Sequence, residues 1–168
     1  MNDLNHEATD GRQRANARFY ALRALSARRL TETKLRERLV NRGYAPDEIN
    51  AAVEFCKRHG FIDDRLYAQL YVDGKRKAVG DARLVAELVR RGVDREAART
   101  SVAAAEEDQD ARLQTAIDTI YRKRPSLAYP NAARALERLG FPAPAIYRHL
   151  RARAAAEFPM LTEDERTA

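Results

Sequence analysis

Apolar side chains recur every three or four positions along most of this sequence, the spacing that gathers them on one face of an α-helix. Phe19, Leu22 and Leu25 form the first stripe, with Arg18, Arg28 and Arg29 on the far side, and predict a helix over 17–29. Thr31 suits the N-cap of a second helix, because its hydroxyl accepts from a first-turn N–H that has no partner inside the helix. Leu35 and Leu39 supply that helix's stripe, and Gly43 stands where a glycine closes a helix C-terminus. A third helix opens on Pro46-Asp47-Glu48. Proline lacks an N–H where none is needed, and the carboxylates face the positive end of the helix dipole. Ile49, Val53 and Cys56 carry this helix to Gly60, after which Asp63 caps a segment over 64–77 with Tyr67, Leu70 and Tyr71 inside. No stretch alternates with the period of two that a half-buried strand requires. The pattern predicts an all-α fold.

The same pattern repeats. Three segments, 34–55, 83–104 and 131–152, align on Gly43, Gly92 and Gly140, spaced 49 and then 48 residues apart. Four positions before each glycine stands Leu39, Leu88 or Leu136, and eight before stands Leu35, Leu84 or Ala132. Tyr44, Val93 or Phe141 follows directly, and Ile49 and Val53, Ala98 and Val102, or Ile146 and Leu150 come six and ten positions later. These offsets describe a helix, a glycine turn, an apolar plug and a second helix packed back on the first. A further helix precedes each pair, over 17–29, 64–77 and about 110–124. The predicted organisation is therefore three tandem three-helix repeats over 15–61, 62–107 and 108–156, between a disordered acidic tail over 1–14 and an acidic tail over 157–168. Repeats contact mainly their neighbours, which predicts an elongated, curved array. Gly60-Phe61-Ile62-Asp63-Asp64 joins the first two repeats through two apolar residues, and the acidic run 106–110 joins the last two.

Charge narrows the partners. The net charge is +6, with 26 arginines against 5 lysines, and the cations lie between two acidic ends. Such a body suits a polyanion or an acidic protein surface; a GC-rich coding bias would raise arginine too. Trp is absent and aromatics are 7% of the chain, so the core is expected to be Leu, Ala, Val and Ile. The single cysteine, Cys56, excludes an internal disulfide and lies on an apolar stripe, where a buried thiol is expected rather than a nucleophile. No apolar run reaches the roughly 20 residues of a membrane span, and the first residues lack a signal-peptide layout, so a cytoplasmic protein with no membrane contact is expected.

The residues also match a known family. Ala21-Leu22-Arg23-Ala24-Leu25-Ser26-Ala27-Arg28-Arg29, then Thr31, Leu35, Leu39 and Gly43-Tyr44, resembles the first repeat of RecX regulatory proteins. Phe61-Ile62-Asp63-Asp64-Arg65-Leu66-Tyr67-Ala68 is similar to that family's junction of the form (L/I)DD-x-x-(F/Y)A. Gly80 through Leu84, Leu88 and Arg91-Gly92-Val93 look like its second repeat, and Leu136 through Gly140-Phe141 like its third. The resemblance covers roughly 15–155. It departs at Lys34, where the family carries an acidic residue, at Leu30, where it carries an aromatic, and in the divergent third repeat. It implies a monomer that binds the RecA filament on single-stranded DNA and limits its growth, damping strand exchange, ATP hydrolysis and repressor cleavage. The resemblance thus places the chain in DNA repair, recombination and SOS regulation.

No catalytic constellation, cofactor or metal is expected. His6, His59 and His149 are scattered, and none has a second ligand at metal spacing. Gly74 and Gly80 flank a basic turn but lack the Lys-Ser/Thr of a phosphate loop. Asp63-Asp64 reads better as a cap than as a carboxylate pair. Three basic clusters end helices: Lys75-Arg76-Lys77, Arg90-Arg91 and Arg122-Lys123-Arg124. Dipole complementarity explains one cation at each end more readily than two or three, so these clusters are the candidate contacts with RecA or with phosphate. Binding to naked DNA is expected to be weak and nonspecific. A helix-turn-helix-like basic DNA-binding module is the alternative, but residues 47–56 are acidic to neutral where a base-reading helix should carry Asn, Gln or Arg.

Overall fold

The computed structural model describes residues 17–75, 79–104 and 108–157, and among them the chain is all helical. The helices are α1 (17–27), α2 (Glu32–Asn41), α3 (Pro46–Arg58), α4 (Asp64–Lys75), α5 (Asp81–Arg90), α6 (Arg95–Ala103), α7 (Gln109–Lys123), α8 (Tyr129–Arg138) and α9 (Ala143–Glu157). Their order follows the predicted grouping by threes. The tails predicted over 1–14 and 157–168 fall outside the described residues, save Glu157.

Local chemistry sets the boundaries. Thr31 caps α2 by accepting from the Lys34 N–H at 3.2 Å. Pro46 opens α3, and the buried Glu48 carboxylate reaches back to accept from the Ala45 N–H at 2.7 Å. Asp63 accepts from the Leu66 N–H at the start of α4, and Asp108 from the Asp110 N–H at the start of α7. Gly43, Gly92 and Gly140 take φ of 81°, 92° and 87° after α2, α5 and α8. The following residue's N–H then bonds back to Leu39, Leu88 and Leu136 respectively, which satisfies a carbonyl the helix end leaves over.

Contacts group the chain into two compact units, one holding 17–71 and 88–101, the other 72–87 and 102–157 of the described residues. In the first, Ala17, Ala21 and Ala24 of α1 meet Leu35 and Leu39 of α2 and Ile49, Ala52, Val53 and Cys56 of α3, closed by Leu30 and Ile62. Each fully buried Leu or Val side chain contributes on the order of 1.5–3 kcal/mol. Burial also pushes the Cys56 thiol up, so it stays protonated and inert. In the second unit Leu113 and Ile117 of α7, Ala132, Ala133 and Leu136 of α8, and Ile146 and Leu150 of α9 form the core around Phe141.

Two expected inward positions point outward. Phe19 is 66% exposed and Leu70 46% exposed. The buried face of α1 is its alanines at 17, 21 and 24, and that of α4 is Ala68 and Val72, with Tyr67 and Tyr71 half-buried. Both helices carry two apolar arcs, and the arc of small residues, which admits close approach of the neighbouring backbone, is the one packed. Of the two apolar residues at the first junction, Ile62 is buried and Phe61 lies half outside, its ring stacked with those of Phe55 and His59.

One docking contact occurs in each unit and repeats in form. In the first, the N-terminus of α2 meets the turn after α5: Thr31 Oγ1 donates to the Arg91 carbonyl at 2.6 Å and Thr33 Oγ1 to the Gly92 carbonyl at 2.9 Å. In the second, the N-terminus of α5 meets the turn after α8, where the Gly80 N–H donates to the Leu139 carbonyl at 2.8 Å and Arg83 Nη1 to the Arg138 carbonyl at 3.1 Å. The backbones approach so closely that a Cβ on Gly92 would lie 2.5 Å from Thr33 Cβ, and one on Gly80 2.3 Å from the Gly140 carbonyl oxygen. Arg112, 3% exposed, braces the second contact by donating to the Val79 carbonyl at 3.0 Å and to Asp81 Oδ1 at 2.5 Å.

Candidate functional site

The first docking contact leaves a cavity of about 310 Å³ lined by Arg28, Arg29, Leu30, Thr31, Lys34, Tyr67 and Arg91. Sequence placed these residues on four different segments. Arg28 and Arg29 follow the last turn of α1, Thr31 and Lys34 open α2, Tyr67 lies on α4, and Arg91 follows α5. The packing of Thr31 against the Arg91 carbonyl draws them together. Four cations and no carboxylate form the wall.

The cations differ in how they are held. Lys34 pairs with Glu37 at 2.6 Å, outside the cavity. Arg91 lies over the Tyr71 ring, 4.6 Å from its centroid, with Nη1 3.5 Å from the Tyr67 hydroxyl. Hydrogen bonding to Tyr71 first, and then to Tyr67, pushes the Arg91 guanidinium above its ordinary value against the opposing penalty from burial. The Tyr67 and Tyr71 rings are nearly parallel, 7° apart at 6.5 Å. Among the described residues, Arg28, Arg29 and Arg91 have no carboxylate within ion-pair distance.

Two of the backbone donors at the start of α2 are already used. The Glu32 N–H goes to Asp64 Oδ1 at 2.9 Å and the Lys34 N–H to Thr31. Burial pushes Asp64 up, and the hydrogen bond from Glu32 offsets only part of that. Burial also raises Glu32, but Lys57 at 3.0 Å and Arg36 at 2.9 Å outweigh it and hold that carboxyl below the usual range. The four cationic side chains of the wall supply the attraction of the cavity for an anion.

The second docking contact joins equivalent positions of the repeat through a backbone donor instead of a hydroxyl, and its charge is opposite. Gly80 stands in the place of Thr31, Arg83 of Lys34 and Leu139 of Arg91 in the repeat register. Arg83 is committed to Glu87 and to the Arg138 carbonyl. The adjoining cavity, about 360 Å³, is lined by Asp81 and Glu137 with Ala82, Gln109, Gly140, Phe141 and Pro142.

Of the sequence-predicted clusters, only Arg91 enters the basic cavity. Arg90 is exposed beside it on α5 and does not line it. Lys75 is exposed at the end of α4, while Arg76 and Lys77 lie outside the described residues. Arg122, Lys123 and Arg124 are exposed at the end of α7, where Lys123 and Arg124 edge an apolar recess of about 220 Å³ with Ile120, Leu127 and Ala135. Sequence reasoning missed Arg28, Arg29 and Lys34. Lys34 carried a signal: a cation in the first turn of a helix opposes the dipole, an unfavourable placement that the ion pair with Glu37 offsets.

No group of three or more His, Cys, Asp or Glu side chains among the described residues is placed to hold a metal ion. Nor is any described helix long and apolar enough to cross a membrane.

Comparison with known proteins places this architecture. Residues 17–56, which span α1 to α3, match the family described as RecX, first three-helix domain. The chain is 33% identical over 73 residues to the regulatory protein RecX of Clostridium perfringens (strain SM101), an alignment covering 44% of this chain and 34% of that protein. It is 32% identical over 128 residues to the regulatory protein RecX of Thermus thermophilus, covering 76% of this chain and 85% of that one. In fold it is similar to the crystal structure of RecX from Lactobacillus salivarius, with a TM-score of 0.74 at 18% identity over 84% of this chain and 97% of that one. Identity of 32% along 85% of a relative shows the family, and the chain belongs to the RecX family of regulatory proteins.

Proposed function

We propose that this chain binds the RecA nucleoprotein filament on single-stranded DNA and limits its extension. Bound there, it lowers the filament's ATPase, strand exchange and co-protease activity, and so regulates DNA repair and recombination in the cytoplasm. The observation that carries the reading is the match to a regulatory RecX protein along 85% of its length. Helical repeats with basic clusters suit a modulator that acts by occupancy. The chain bridges protomers and blocks access to the groove, with no chemistry of its own and no cofactor. Arg90 and Arg91, Lys75 to Lys77 and Arg122 to Arg124 supply the cations that meet acidic or phosphate groups of the filament.

The helix-turn-helix alternative gains nothing from α3. Its inner face is buried in the core, and Asp47, Asn50 and Glu54 occupy the exposed side of its first turns, with Lys57 and Arg58 only at its C-terminal end, so the part that would enter a groove carries no base-reading cation. The test adds substoichiometric protein to RecA filaments growing on single-stranded DNA and follows ATP hydrolysis and filament length. Slower extension and lower ATPase are expected, weakened by neutralising Arg122, Lys123 and Arg124 with the helical fold intact. Stoichiometric folded protein that leaves RecA of the same organism unaffected in both assays overturns the proposal.

A further inference from the structure

We infer that the arginine-lined cavity at the first docking contact binds the phosphodiester backbone of a single-stranded nucleic acid directly, in the absence of any filament protein. This goes beyond the proposed function, which requires only contact with a filament, and it moves the expected nucleic-acid contact from the helix-end clusters to the cavity.

The argument begins with the cost of the arrangement. Arg28, Arg29, Lys34 and Arg91 share one cavity wall, and like charges so gathered repel unless an anion neutralises them. Lys34 has Glu37, but the three arginines meet no carboxylate among the described residues. The repeat does not need this charge to dock. Its second contact joins the equivalent positions by a Gly80 N–H to the Leu139 carbonyl, where the first uses the Thr31 hydroxyl to the Arg91 carbonyl, and carboxylates line the space beside it. The cluster is therefore an addition to the scaffold.

Its chemistry selects the ligand. Guanidinium groups present paired donors that match two oxygens of one phosphate, which a lysine ammonium does not. The Tyr67 side chain lines the cavity and offers aromatic surface to a sugar or an unstacked base, while Tyr71 behind it holds Arg91 in place. Carboxylates of an acidic peptide would answer the charge but not the Tyr67 ring. A concavity of about 310 Å³ admits one backbone phosphate with its sugar. The broad convex flank of a duplex does not enter it, whereas a flexible single strand does.

The test uses the full chain and a short fluorescein-labelled oligodeoxythymidylate, with anisotropy recorded from low to moderate salt and no RecA present. The parent is expected to bind, with an affinity that falls with salt by counterion release. The double variant Arg28→Gln/Arg29→Gln should bind about tenfold or more weakly, with a salt slope shallower by about 0.7 for each phosphate it no longer holds. Arg91→Lys keeps the charge but loses the paired donors, and should weaken binding too. Unchanged far-ultraviolet circular dichroism establishes that these exposed substitutions leave the fold intact. Parent-like affinity and salt slope in the double variant overturn the inference. It is also overturned if the parent ignores the oligonucleotide while the double variant loses its effect on RecA ATPase; the cavity then receives an acidic protein surface, and the filament reading stands. Cavity-dependent binding without any effect on RecA upholds the inference and removes the filament reading instead.

Discussion

Replacing Thr31 with valine removes one hydroxyl and leaves the side-chain shape nearly unchanged. That hydroxyl acts twice: it accepts from the Lys34 N–H to cap α2 and donates to the Arg91 carbonyl across the repeat junction. Thr31 is only 1% exposed, so water does not replace either bond at the threonine. Loss of an N-cap costs about 0.5–2 kcal/mol. Loss of the second bond costs about 0.5–1.5 kcal/mol net, toward the lower end where the orphaned carbonyl still reaches solvent. The two share one oxygen, and a total of about 1–3 kcal/mol is expected. Urea unfolding followed by helical circular dichroism reads this as a fall in midpoint of about 1 M, given a slope of about 1–3 kcal/mol per molar urea. Thr31→Ser keeps the hydroxyl and should lose only its buried methyl, about 1 kcal/mol. If Thr31→Val unfolds at the parent's midpoint, the hydroxyl contributes nothing at the junction and the docking account is wrong.

Further outcomes follow from the same geometry. Leu39→Ala and Leu88→Ala, both at fully buried positions, should each cost about 2–5 kcal/mol in urea unfolding as core cavities, and Leu136→Ala should fall in the same range. Gly92→Ala combines φ of 92° with a Cβ contact of 2.5 Å to Thr33, and should cost clearly more than Gly43→Ala, which meets nothing within 4 Å and bears only the left-handed penalty of roughly 1–2 kcal/mol; equal melting temperatures for the two would refute the close approach at the junction. Glu32, held down by Lys57 and Arg36, contributes stability that is complete above its ordinary value of 4.5 and is lost as the pH falls through the lowered one, so Glu32→Gln should flatten the acid side of the stability profile. Asp64 has the opposite sign: its pKa is raised by burial, so its contribution is complete below 3.8 and fades as the pH rises. Asp64→Asn retains an acceptor for the Glu32 N–H and should therefore be no less stable than the parent at neutral pH.

The sequence by itself determined the helices, their caps and turns, and the threefold repeat. Each of these depends on residues within a few positions of one another: Thr31 and the Lys34 N–H, Pro46 at the first turn of α3, Gly43, Gly92 and Gly140 after helix ends. Periodicity also found Leu35, Leu39, Leu84, Leu88 and Leu136, because each of those helices has one apolar arc. It failed at Phe19 and Leu70, where two arcs competed. Hydropathy favours the larger residue, whereas the close approach of neighbouring helices favours the alanines. The basic cavity was decided by tertiary structure alone. Arg28 and Arg29 lie more than sixty positions from Arg91 and share no helix face with it. Their meeting requires the Thr31 hydroxyl to reach the Arg91 carbonyl, a contact that no local pattern encodes. The opposite charge of the second junction makes the same point. The repeat dictates that the backbones dock, and only the assembled side chains decide what each junction can hold.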